Sequence, residues 1–297
     1  MKRIAVLALI MAGAFWGLGF PLGKLILAET EAAHMVLLRF AVAALAALPF
    51  ALRRAETRAL FRSPPVIAAG VLYGVAFMVQ FEALKHVNVT LAALLVGVMP
   101  ALIAVAAKLL GETVTRASMA GVAAATFGAV LIAGRPGDAG SPVGVAMSIG
   151  ALFIFLAWLL VLRRAPPGPT PMATPAVTVV IAALAILPIA LVMHGPPRLD
   201  LSLPVWAAIV GQGVLATLVA TAAWQFGASH LGSASAGVFI NMEPLMGASI
   251  GVVAFGDRLT PALVAGGVLI IAGSCVVALG ERDAPPDDLA KSPPTPA

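Results

Sequence analysis

Residues 43–52 read Ala43-Ala44-Leu45-Ala46-Ala47-Leu48-Pro49-Phe50-Ala51-Leu52. They are written a second time as Ala182-Ala183-Leu184-Ala185-Ile186-Leu187-Pro188-Ile189-Ala190-Leu191. Apolar identities come cheaply in an apolar chain, so the aligned prolines weigh more than the aligned alanines. The repetition continues on both sides. His86 and Pro100 recur as His230 and Pro244, and Gly111-Glu112 as Gly256-Asp257. Thr115 recurs as Thr260, Gly121 as Gly266 and Gly128 as Gly273. The offset stays within 139–145 residues. One structural unit is therefore present twice, in residues 1–135 and 142–280.

Composition says what the unit is made for. The chain has 297 residues, 61% of them hydrophobic and 10% charged. A water-soluble domain is closer to half apolar and a quarter charged, so this chain cannot cover a water-facing surface. Ten apolar blocks approach the length needed to cross a bilayer. They run over 4–27, 32–52, 66–84, 89–110, 117–134, 142–162, 173–193, 204–228, 234–255 and 261–280. The breaks carry loop chemistry, as in Ser63-Pro64-Pro65, Pro166-Pro167-Gly168-Pro169 and Gly195-Pro196-Pro197. The first block reads as a transmembrane helix and not as a cleaved signal. Residues 281–297, rich in Pro, Asp and Ser, are expected to form a disordered cytoplasmic tail.

Orientation follows from Lys and Arg. With a cytoplasmic N-terminus, twelve fall on the inner side: Lys2, Arg3, Arg53, Arg54, Arg58, Arg62, Lys108, Arg116, Arg163, Arg164, Arg282 and Lys291. Five fall outside, namely Lys24, Lys85, Arg135, Arg198 and Arg258, and Arg39 lies within a span. This bias favours both termini in the cytoplasm. Five blocks per unit is an odd number, so the second unit enters the membrane from the opposite side. Inverted units suit a carrier that alternates its access around a central site. The fold expected is an all-α integral membrane protein, ten transmembrane helices in two inverted five-helix repeats, forming a basket-like bundle around a central cavity.

The motifs narrow the class. Ala14-Phe15-Trp16-Gly17, Leu38-Arg39-Phe40, Glu243-Pro244 and Gly256-Asp257-Arg258-Leu259-Thr260 resemble those of the drug/metabolite transporter superfamily, in its ten-helix EamA-type branch. Gly111-Glu112-Thr113-Val114-Thr115 is a weaker copy of the last of these. The resemblance covers residues 4–280 and is specific for fold more than for substrate. It extends to the amino-acid exporters of the YddG type. It implies a bundle with blocks 1, 3, 4, 6, 8 and 9 around the cavity, blocks 5 and 10 outside it, and export as the direction of transport.

Within the cavity blocks, polar and aromatic groups are the candidate substrate contacts. They are Trp16 and Phe20 in block 1, Tyr73, Phe77 and Gln80 in block 3, and Phe153 and Trp158 in block 6. Block 8 adds Thr217, Thr221 and Trp224, and block 9 adds Asn241. Met99 occupies in block 4 the place that Glu243 holds in block 9. Aromatic walls with a few polar groups suit a neutral or zwitterionic solute. Glu243 is the sharpest single residue, because an acid at mid-span costs several kcal/mol unless protonated or paired. It serves either proton coupling and substrate-amine binding, or a structural tie to a neighbouring helix. Arg39 is expected to pair with Glu82 or to snorkel, with a gating role as the alternative. Glu112 and Asp257 are expected to orient turns. Gly17, Gly19, Pro21, Pro100 and Pro244 are expected hinges; for block 1 tight packing is the competing account.

Missing motifs exclude other chemistry. There is no phosphate-binding loop and no H-E-x-x-H, G-x-S-x-G or C-x-x-C sequence. Ser233 and Ser235 near His230 lack a third orienting group. Cys275, the single cysteine, reads as a small buried hydrophobe. No catalytic residue, cofactor, metal or nucleic-acid partner is expected. The expected partners are a small-molecule substrate and membrane lipids, with the protein a monomer in a bacterial-type inner membrane. The resulting expectation is a secondary-active or facilitative carrier, most simply an amino-acid exporter. Rival readings are a carrier of drugs or other metabolites, an intramembrane enzyme, a channel and a non-transporting membrane subunit.

Overall fold

Proline decides where the helices break. Pro21 has no N–H to offer the carbonyl four residues earlier, Gly17, and the first helix ends there and resumes at Gly19. Pro100 likewise leaves the Val96 carbonyl without its donor, and the fourth helix stops at Val96 and restarts at Met99. Ser274 Oγ donates to the next carbonyl, Gly97 O, so the broken turn is tied to another helix. Before Pro244 the chain forms a 3-10 turn, Val238–Asn241, and only then an α-helix. Pro49 and Pro188, by contrast, sit inside unbroken helices.

The computed structural model describes residues 2–134, 139–231 and 238–280. The expected tail, the Arg135 turn and Ser233 and Ser235 lie outside the described residues. Ten helical segments are labelled here in chain order. They are α1 (Lys2–Gly17 with Gly19–Ile26), α2 (Ala32–Leu52), α3 (Pro64–Ala83), α4 (Val89–Val96 with Met99–Leu109) and α5 (Arg116–Gly134). The rest are α6 (Pro142–Leu162), α7 (Ala173–His194), α8 (Leu203–Leu231), α9 (Val238–Asn241 with Met242–Phe255) and α10 (Pro261–Gly280). Eight of them are long and apolar enough to cross a membrane. The other two, α5 and α9, are apolar over the shorter stretches Arg116–Ile132 and Phe239–Phe255. Among the described residues there is no strand, only an isolated bridge between Val87 and Gly140.

The helices pack as a closed ring in the order α1, α8, α2, α7, α3, α6, α4, α9 and back to α1. Helices α5 and α10 stand outside it, against α4 and against each other. Exchanging the first five helices for the last five maps this ring onto itself.

The α5–α10 contact follows the same exchange residue by residue. A Cβ on Gly121 would lie 2.5 Å from Gly273 O, and one on Gly273 would lie 2.5 Å from Gly121 O. Gly128 and Gly266 make the equivalent reciprocal approach, at 2.5 and 2.7 Å. Small residues are what allow two backbones to come this close.

Polar loop contacts gather at the two ends of the ring. At one end Lys85 Nζ meets Glu31 Oε2 at 2.9 Å, and Glu29 accepts from both the backbone N–H and the hydroxyl of Ser202. There Lys24 Nζ donates to Leu84 O at 2.8 Å, and Asp257 Oδ2 accepts from Thr90 N at 2.8 Å. At the other end Arg163 pairs with Glu112 at 2.7 Å. Packing is dense near the first end, where Phe20, Ile26, Phe81, Leu84, Leu91 and Ile209 are buried. Toward the Glu112 end, Trp16, Tyr73, Met99, Phe155, Trp158, Trp224 and Glu243 are only half-buried.

Candidate functional site

Arg39 anchors the site. Helix α2 carries it inward to 2% exposure, so it does not snorkel. The expected pair with Glu82 does not form. Glu82 lies at the exposed end of α3, within 3.1 Å of Lys85 Nζ one helical turn on and 4.0 Å of His86. A carboxylate near water finds the cation on its own helix face before one buried in another helix. Arg39 instead donates from Nε to Thr217 Oγ1 at 3.1 Å. Its guanidinium lies 4.2 Å from the centre of the Phe77 ring, with Phe40 and Phe81 at 5.7 and 5.6 Å. Cation–π attraction is strongest at desolvated sites, and this guanidinium is buried. One guanidinium nitrogen, Nη1, is sealed from solvent and has no hydrogen-bond partner.

Thr217 can reach Arg39 because α8 is irregular. Residues Val214–Val219 form a π-helical turn, a feature common at functional sites. The Thr217 hydroxyl donates to Gln212 O at 2.9 Å, and Thr221 Oγ1 donates to Thr217 O at 2.6 Å. Threonine hydroxyls bond back to carbonyls within this irregular stretch. Gln212 is buried and its Nε2 donates to Gly19 O, at the break in α1. Helix α8 thus holds both Arg39 and the broken segment of α1.

An aromatic cluster completes the wall. Tyr73 lies 4.9 Å from both Phe77 and Trp158, centre to centre. Phe155 lies 5.0 Å from Phe77, edge to face, a favourable geometry. Phe20 reaches the same cluster through Phe81 at 6.2 Å. Trp16 and Trp224 meet across the α1–α8 contact at 5.3 Å. The Trp158 indole N–H, like Arg39 Nη1, is sealed from solvent without a partner.

Phe153 was the wrong phenylalanine to expect in this wall. It is 55% exposed and points away from the ring, while Phe155 takes its place in the cluster. Two helical positions turn a side chain by about 200°, enough to move it from one face to the other. The spacing of Phe155 to Trp158, three residues on the same face, is the signal that identifies the inward pair. Phe40, Phe81 and Gln212 are also part of the site without having been singled out in the sequence. A glutamine within an apolar span is the cue that marks Gln212.

The remaining candidates divide. Gln80 is buried on α3, and Met99 is half-buried at the restart of α4. Asn241 is buried, with Nδ2 3.6 Å from Cys275 Sγ, which places it at the contact with α10. Glu243 is half-buried on α9 and makes no ion pair or hydrogen bond among the described residues. Gly17 lies tight against α9, where a Cβ would be 2.6 Å from Met246 Cβ. Gly19 is not a packing glycine: no atom lies within 4 Å of where its Cβ would be. Breaks in the helical ladder accompany Pro21, Pro100 and Pro244, as described above.

The family profile for EamA-like transporters matches the chain twice, over residues 3–134 and 142–279. The chain belongs to the EamA-like transporter family. It is a multi-pass membrane transporter and not an enzyme. This EamA-like transporter is 28% identical over 201 residues to the "Uncharacterized transporter YyaM" of Bacillus subtilis (strain 168). That match covers 65% of each chain, so the transporter spans just under two thirds of this relative's length. It is also 27% identical over 292 residues to a "Probable terminal-alkyne amino-acid exporter" of Streptantibioticus cattleyicolor, covering 94% of this chain and 95% of the relative. A solved crystal structure with 21% identity superposes with a TM-score of 0.65 over 96% of this chain and 100% of its own, a likeness of fold alone.

Proposed function

We propose that this transporter exports a small zwitterionic metabolite, an amino acid or a close relative, by alternating access. The observation that carries the reading is the presence of one buried cation, Arg39, and one half-buried acid, Glu243, that form no ion pair with each other, in a ring walled by Tyr73, Phe77, Phe155 and Trp158. A zwitterion supplies the complementary charges, and its side chain can lie on the rings. A strongly anionic solute would meet a single cation and the repulsion of Glu243. The relative whose printed name is an amino-acid exporter supports the same substrate class and direction.

Alternating access draws support from the ring that maps onto itself and from the two matches of one family profile. Both fit two inverted five-helix units, residues 1–135 and 142–280. The Lys and Arg bias makes the Glu112 end cytoplasmic. We place the protein in a bacterial-type inner membrane as a monomer, with both termini inside and ten crossings. Glu243 is the group for coupling to protons or for holding the substrate amine. The helix breaks at Gly17–Pro21, Pro100 and Pro244 are the hinges.

Counterflow into liposomes that contain only this protein, screened against the twenty amino acids, tests the reading. Saturable exchange of one or more of them is the expected result. Conductance far above carrier turnover without counterflow would indicate a channel, and absence of all flux would reject transport of this class.

A further inference from the structure

We propose that Arg39 and Trp158 bind the carboxylate of the transported solute. This assignment rests on the carrier reading above and adds to it the atoms that recognise one end of the substrate.

The argument begins with unpaired donors. Arg39 is 98% buried by its 2% exposure, and Thr217 already occupies its Nε. Its Nη1 has neither a protein partner nor contact with solvent. The indole Nε1 of Trp158 is in the same condition. A buried donor left unsatisfied costs more than a made bond returns, and more still on a charged group. Native proteins rarely tolerate such donors unless a ligand or water answers them.

Both donors border one cluster of rings. Arg39 lies over Phe77, Trp158 packs on Tyr73, and Tyr73 and Phe77 touch each other at 4.9 Å. What would satisfy two N–H donors, one of them cationic, is a small group that only accepts. A carboxylate has two acceptor oxygens and one negative charge, and guanidinium is the side chain best matched to it.

Charge balance points the same way. Arg39 has no carboxylate within ion-pair distance among the described residues, and Glu243 has no cation. A solute with a carboxylate toward Arg39 and an amine toward Glu243 gives each of these charges a local partner. The interior then holds no uncompensated charge in a medium where that is costly.

The wall also fixes the geometry. Thr217 holds Nε, and the guanidinium lies over Phe77 with the rings of Phe40 and Phe81 nearby. Nη1 remains to meet a ligand. Arg39 is thus pre-oriented, so little rotamer entropy is lost on binding.

The test uses proteoliposomes with the wild type, Arg39→Gln, Arg39→Lys and Trp158→Phe. The probes are the twenty L-amino acids and, for each one carried, the amine lacking its carboxyl and the acid lacking its amine. The wild type is expected to carry at least one amino acid, with the acid competing for transport and the amine failing to. Arg39→Gln is expected to weaken apparent affinity for the amino acid about 10- to 100-fold, the worth of one charged hydrogen bond, and to erase its advantage over the amine. Arg39→Lys should recover part of that loss. Trp158→Phe keeps the ring and loses the N–H, so it should shift the same ratio by a smaller factor. It also carries the test if Arg39→Gln fails to run as a single species on size exclusion. An amino acid carried with the same preference by all variants overturns the anchor and leaves the carrier reading standing. Transport of amines with indifference to the carboxyl, or no flux of any probe, overturns both. Transport only of acids without an amine, lost in Arg39→Gln, supports the anchor and overturns the zwitterion reading.

Discussion

The α5–α10 crossing offers the most direct structural test, and its size can be worked from distances. An Ala at Gly273 would place its Cβ 2.5 Å from Gly121 O and 2.7 Å from Ala125 N. A carbon and a carbonyl oxygen need about 3.3 Å or more. The helices must therefore part by up to about 1 Å, because both obstructing atoms are backbone and cannot rotate aside. Overpacking of this kind costs about 1–3 kcal/mol. Gly150→Ala is the control, since nothing lies within 4 Å of its added carbon. That change should be neutral or favourable by up to about 1 kcal/mol, as Ala is the better helix former. Thermal unfolding in detergent, read by circular dichroism, should place Gly273→Ala below Gly150→Ala by about 2–4 °C per kcal/mol. The half-exchange adds a second constraint. Gly121→Ala and Gly266→Ala occupy equivalent places, so their losses should match. The double variant Gly121→Ala/Gly273→Ala should lose less than the sum, because one separation relieves both clashes. Counterflow should survive, since α5 and α10 stand outside the ring. Equal melting of Gly273→Ala and Gly150→Ala would refute the close approach.

Four further outcomes are expected. Glu243→Gln should abolish or flatten the pH dependence of transport in liposomes; full transport with an unchanged pH profile would reject a coupling role. Thr217→Val should lower the melting point by an amount equivalent to about 1–3 kcal/mol, because the Arg39 Nε loses its acceptor at constant side-chain volume. Phe155→Ala should reduce substrate affinity and Phe153→Ala should not, and the same counterflow assay reads both. At the Lys24 end, the hydrogen bond from Lys85 holds the Glu31 carboxyl below its usual value of 4.5, and Ser202 does the same for Glu29. A lowered folded value means the tethers are fully present above about 4.5 and are lost as pH falls below it through the lowered folded values. The protection of residues 27–31 against hydrogen exchange, taken relative to the intrinsic rate at each pH, should therefore fall on acidification below that point, and Glu31→Gln should remove part of the change.

Much of the architecture was legible because its signals are long-range and redundant. The repeated Pro49 and Pro188 stretches become α2 and α7, which pack against each other in the ring. Gly121, Gly128, Gly266 and Gly273, aligned by offset, turn out to face one another in reciprocal pairs. The prolines at 21, 100 and 244 mark breaks because a missing N–H acts on a carbonyl a fixed distance upstream. Site residues were harder to read. A helix apolar all round has no polar face to show which way it turns, so Phe153 and Phe155 could not be separated by hydrophobicity. Arg39 and Glu82 are compatible in depth, yet which partner Arg39 meets depends on the order of helices around the ring. That order places α8 beside α2 and brings Thr217 to Arg39, through an irregular turn that has no sequence signature of its own.

The π-helical turn at Val214–Val219 has a consequence for register. A π turn accommodates about one residue more than a regular helix would in the same rise. Everything after it in α8 is rotated by about 100° relative to an uninterrupted helix. Trp224 meets Trp16 in that rotated register. Deleting a single residue within 214–219 would leave α8 able to span, yet it would swing its second half by one helical step. The insertion works as a phase setting: it decides which column of side chains the latter half of α8 presents to the ring, and a one-residue deletion would present a different column on the same scaffold.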